Sequence, residues 1–155
     1  ADKSGSIREA GFIISGMALG GILYTLTVKA MLRRLSIFAL IRLGGAIAAA
    51  GLVALALLHA WPPKAAAFVA VGFGFYMIHN SIQTQVTELA PEARGASVAM
   101  HAFFFFLGQA IGPIVYRIGI AVLGASASIF ISAAVMLLLG LATAAGFARH
   151  ERSRG

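Results

Sequence analysis

The chain of 155 residues contains no cysteine, which excludes disulfides and thiolate metal sites and leaves its redox compartment unread. Acidic side chains are scarce: Asp2, Glu9, Glu88, Glu92 and Glu151 are all of them, and each stands at the edge of an apolar run or between two. No two carboxylates can therefore converge inside such a run for acid–base work. The histidines, His59, His79, His101 and His150, show no H-x-x-x-H spacing, and no nucleophile–base pattern stands out. We expect no enzyme, no metal and no cofactor. Charge is sparse, at 11% of residues, where a soluble domain carries about 25%. Alternation with period two is absent, and the uncharged runs are about twice the length of a barrel strand, which excludes a transmembrane β-barrel. The opening ADKSGS has neither a Met nor a signal-peptide pattern, so a fragment or processed piece is expected.

What remains is strongly apolar. Hydrophobic residues make up 60% of the chain, and its mean hydropathy is +0.93. A helix crossing a bilayer needs about 20 apolar residues. The charges leave five such runs, with spans expected over 7–28, 35–58, 65–87, 92–116 and 126–147. The expected fold is all-α, a polytopic transmembrane helix bundle. Ser6-Ile7-Arg8-Glu9 fits a capping box ahead of the first span. His59-Ala60-Trp61-Pro62-Pro63-Lys64 reads as a turn in which the prolines stop the second helix, and Trp61 suits the membrane–water interface. Pro91 is expected at the first helical position of the fourth span. Ile118 to Ala148 runs uncharged, too long for one span, and Gly124-Ala125-Ser126 is its expected break.

The net charge of +7 does not point to nucleic acid, because the basic residues sit at the ends of apolar runs and form no stripe. Five alternating spans put eight of the twelve basic residues on one side: Lys29, Arg33, Arg34, Arg42, Arg94, Arg149, Arg152 and Arg154. Lys3, Arg8, Lys64 and Arg117 fall on the other. That asymmetry predicts a cytoplasmic C-terminus in a multi-pass membrane protein. Arg42, two turns inside its run, is expected to snorkel towards the basic end.

Polar residues inside the runs are costly and mark candidate sites. The third span has the densest set: Tyr76, Asn80 and Gln83 share a face, with His79 beside them. In the fourth span His101, Phe105, Gly108 and Gly112 share a face, and Pro113 permits a kink. Gly16 and Gly20 form a further small-xxx-small pair in the first span. Its partner, a helix of this chain or of another, is open. The second span, with Gly44, Gly45, Ala48, Ala49 and Gly51, reads as a supporting helix, and the fifth as lipid-facing. The consecutive Phe103 to Phe106 surround their helix, so some of them must face lipid.

Two elements carry a resemblance. Pro91-Glu92-Ala93-Arg94-Gly95 and Gly108-Gln109-Ala110-Ile111-Gly112-Pro113 resemble, in order and spacing, the loop before the eleventh helix and the repeat-related glycine–proline element of the major facilitator superfamily of secondary transporters. Gly20-Gly21 followed by Lys29, Arg33 and Arg34 is similar to that family's basic loop signature, without its usual Asp-Arg pair. A glycine pair that follows the G-x-x-x-G-P element in the family's antiporters is absent. The resemblance covers nearly the whole chain and implies helices eight to twelve of the C-terminal half, closest in tone to the drug and sugar efflux branches. It implies membrane transport of a small molecule by alternating access, in the bacterial inner membrane, as an antiporter or other efflux system. It also implies membrane lipid and an N-terminal half as partners.

On that resemblance the third span becomes a cavity helix, with Tyr76, His79, Asn80 and Gln83 as substrate-cavity candidates. Gly108, Gly112, Pro113, Gly16 and Gly20 become gating or helix-packing residues. Glu92, Arg94 and Gly95 become a cytoplasmic latch. Were protons the coupling ion, His79 or His101 would carry them, or an acid on the other half. For every polar residue the competing reading is a structural hydrogen bond between helices. The competing function is a structural or channel-like membrane subunit, although no selectivity-filter sequence is present.

Overall fold

The computed structural model describes residues 3–89 and 91–153. Five long α-helices run through them: α1 (Lys3–Leu32), α2 (Ile37–Leu57), α3 (Trp61–Leu89), α4 (Arg94–Leu123) and α5 (Ala125–Arg152). A 3-10 turn, Pro91–Ala93, precedes α4. No strand occurs among the described residues. Each helix is long and apolar enough to cross a membrane, so the chain is an all-helical integral membrane protein.

The helices outrun the apolar segments that announce them, because a helix need not stop where hydrocarbon does. α1 already begins at Lys3, so Ser6 lies within the helix and does not start it. The side chains of residues 3–7 are outside the described residues, as are Asp2 and Arg154. Trp61, Pro62 and Pro63 open α3; they do not close α2. A first-turn proline loses no intrahelical bond, since that N–H has no partner there in any case. The break lies at Leu58–Ala60, in the first part of the expected turn and ahead of its prolines. Pro91 belongs to the 3-10 turn and not to the first turn of α4. α4 runs on past Tyr116 and Arg117 to Leu123. α5 continues beyond Phe147 into Arg149, His150 and Arg152, whose charges complement the negative end of its dipole.

Two helix ends have local causes. Ser36 caps α2, its hydroxyl accepting from the Ala39 N–H at 3.2 Å. Gly124 alone joins α4 to α5, at φ 84° and ψ 164°, a region essentially reserved for glycine. Serine and threonine hydroxyls inside the spans donate to the carbonyl one turn back, as Thr25 does to Gly21 at 2.9 Å and Ser132 to Ser128 at 2.8 Å. In hydrocarbon, such a bond satisfies the hydroxyl that makes it.

Contacts fix the helix directions. Gly16 lies against Ala65, Phe68 and Val69, and Gly20 against Val69, Gly72 and Phe73, so α1 and α3 run parallel. Gly44 meets Gly74 and Met77 while Gly51 meets Ala67 and Val71, so α2 runs antiparallel to α3. Gly45 against Met136, with Ile41 against Gly140, sets α5 antiparallel to α2. His79 beside His101 and Phe105, with Val86 beside Ser97 and Met100, does the same for α3 and α4. Directions therefore alternate along the chain, as consecutive spans require.

The core lies where α1, α2 and α3 meet. Leu40 and Met77 are shut off from the surface and pack with Tyr24; Ile41 is equally enclosed. Backbones come close because glycine removes the Cβ. A Cβ on Gly20 would collide with the Val69 carbonyl and the Phe73 amide, and one on Gly72 with the backbone of Met17. Small residues at helix contacts are how apolar helices associate without a hydrophobic driving force between them. α4 differs: none of its residues is buried.

Candidate functional site

α3 presents its polar residues over an arc of about 100°, from His79 through Gln83 and Tyr76 to Asn80. The arc is too wide for a single neighbour, and the structure divides it. Tyr76 and Asn80 turn to α1. The Tyr76 ring covers Gly21, where an added Cβ would lie 2.6 Å from it. Asn80 meets the phenol of Tyr24, whose ring stands edge-on to Phe73 at 6.3 Å. Gln83 is exposed and joins neither group.

His79 turns the other way, to α4. Its imidazole stacks on Phe75 at 5.5 Å and 6°, and lies 4.6 Å from the Phe105 ring. His101, on α4, stands 5.5 Å away at a tilt of 34°. The Nε2 of His101 is closed off from the surface and has no hydrogen-bond partner among the described residues. An unpaired buried nitrogen costs about 1–3 kcal/mol, so it is poised to accept or donate to anything polar that enters. A cavity of about 320 Å³ opens beside the pair, walled by Phe75, Ile82, Phe105, Met136 and Leu139. It is an apolar slot with two imidazoles as its polar groups, the general form of a small-ligand site.

Sequence reading set His79 with the cavity candidates and His101 with the glycine face. Their meeting depends on the antiparallel register of α3 and α4, which no residue spacing within one helix reveals. The part played by Tyr24 was not foreseen either. Its only signal is a tyrosine in the middle of an uncharged run.

Gly108 and Gly112 lie on the wall of a second, larger cleft of about 620 Å³ between α4 and α5, opposite Ile131, Ser132 and Val135. Nothing comes within 4 Å of a Cβ built on either glycine. Pro113 follows within the helix, which continues to Leu123. Gly16 and Gly20, by contrast, are taken up within the bundle by α3. Gly95 is also free of neighbours. Arg94 approaches Glu88 at 3.9 Å with both side chains exposed; Glu88, not Glu92, is its partner. An exposed pair of this kind contributes a fraction of a kcal/mol. No group of three or more histidine, aspartate or glutamate side chains that could hold a metal occurs among the described residues.

The two ends of the bundle differ in charge. Lys29, Arg33, Arg34, Arg42, Arg94, Arg149 and Arg152 gather at one end. Arg8 and Lys64 stand at the other, with Arg117 on the last two turns of α4. No protein family, characterised protein or solved structure matches the chain.

Proposed function

We propose that the chain is part of the C-terminal half of a secondary transporter of the major facilitator superfamily, moving a small molecule by alternating access. The reading rests most on α4. None of its residues is buried, and its glycine face borders a cleft that nothing among the described residues fills. Such a face suits a transporter half, because two halves must rock against each other around a site near the middle of the membrane. On this reading Gly108 and Gly112 receive a helix of the other half, and Pro113 lets α4 flex as the contact is made and broken. The polar arc of α3 lines the substrate path, with Tyr76 and Asn80 on one flank and His79 with His101 on the other. The basic end is cytoplasmic, in a bacterial inner membrane.

Flux of radiolabelled solutes through the intact gene product in proteoliposomes tests this. Transport is expected, and Gly112→Leu should reduce it at least tenfold with unchanged membrane levels, since tenfold is about 1.4 kcal/mol of contact. Normal flux through the Gly112→Leu protein would remove the gate. Absence of flux for drug-like and sugar solutes alike, under an imposed proton gradient, would remove the transporter.

A further inference from the structure

A third cleft, of about 430 Å³, opens between α2 and α5 at the basic end, and three arginines line it: Arg42 from α2, Arg149 and Arg152 from α5. The rest of its wall is apolar, made of Leu141, Ala144, Ala145 and Ala148. No carboxylate belongs to the lining. The one ion pair among the described residues, Arg94 with Glu88, is on α4 and α3. Arg42 spends its Nε on the Phe38 carbonyl, at 3.4 Å, which leaves the outer guanidinium nitrogens free. The carbonyls ending α5 add about half a negative charge at this place, far less than three arginines offset.

Charge at the mouth and hydrocarbon below it are arranged for an amphiphile. Along α5, Arg152, Arg149, Ala145, Leu141 and Leu138 recur at three- and four-residue steps and form one face. Leu138 and Leu141 are exposed, 63% and 45%. The apolar wall of the cleft, Leu141 with Ala144, Ala145 and Ala148, gives an acyl chain a surface to lie against. The free guanidinium forks match a phosphodiester.

We propose that this cleft is a binding site for one anionic phospholipid, its phosphate held by Arg42, Arg149 and Arg152 and an acyl chain lying between α2 and α5. Basic pockets between spans take anionic headgroups in this way. The site depends on the chain being in a membrane and not on what the chain transports.

The purified chain in mixed micelles with equal phosphatidylglycerol and phosphatidylcholine tests it, with bound lipid read by native mass spectrometry. Phosphatidylglycerol should be retained in preference. Arg42→Gln with Arg149→Gln should lower that preference about tenfold or more. Arg33→Gln with Arg34→Gln, at the same end but outside the cleft, should leave it within about twofold. An unchanged preference in the cleft variant, or an equal fall in the control, overturns the proposal. So does displacement of the lipid by millimolar glycerol phosphate, which would make this a small-anion site. The unaltered chain gives a second reading that no folding defect can blur. A photoactivatable phosphatidylglycerol should label α2 near Arg42 and α5 from Leu138 to Arg152. Label spread evenly over α1 and α4 would overturn the site.

Discussion

Two glycine stripes of the same design meet opposite fates. On α1 and α3, Gly16, Gly20 and Gly72 lie in close contact, backbone against backbone. On α4, Gly108 and Gly112 keep the same spacing as Gly16 and Gly20 and face empty space. The small-xxx-small pattern therefore states that a helix can be approached closely, and not by what. Within the bundle the approach has been made. On α4 no helix among the described residues makes it.

The comparison breaks hardest at Gly72. Gly72→Leu drives a side chain into the backbone of Met17, which cannot yield as a flexible side chain would. We expect a loss of about 3 kcal/mol or more, read as unfolding at lower denaturing-detergent fraction in micelles. If the variant unfolds with the parent, α1 and α3 do not pack as described. Gly124 comes next. Alanine there is forced to φ 84° and ψ 164°, costing about 1–3 kcal/mol; a melting temperature unchanged by Gly124→Ala would mean that the link is not held in that conformation. The smallest effect has the opposite sign. Gly112→Leu meets no neighbour and improves helix propensity, so the chain by itself should be as stable as the parent or firmer by up to about 1 kcal/mol. Destabilisation comparable with Gly72→Leu would show that α4 already has a tight partner and would erase the contrast.

The number and order of helices were legible because hydrocarbon thickness acts on composition alone. The break at Gly124 was legible for a related reason: an uncharged stretch too long for one span must turn, and glycine is where it can. Helix ends were less so. Arg117 and Arg149 mark where hydrocarbon gives way, whereas the backbone goes on hydrogen-bonding to itself beyond them, to Leu123 and Arg152. The prolines at 62 and 63 show the same limit, since proline forbids a helix interior but suits a helix start. Of the site, the residues were legible and their grouping was not. Tyr76, His79, Asn80 and Gln83 were found because polar groups are rare in such surroundings. Their sorting towards Tyr24 on one side and His101 on the other depends on how far one helix slides along another.

A one-residue joint between two long rods is also a lever. α4 has 30 residues, about 45 Å at 1.5 Å each. A swing of about 10° at Gly124 would carry its far end about 8 Å over that length, more than the width of a side chain. The space between α4 and α5 thus has a natural way to widen and narrow, like the jaws of tweezers joined at Gly124. The Pro91–Ala93 turn and the loose Arg94–Glu88 pair are what the moving tip would carry against α3.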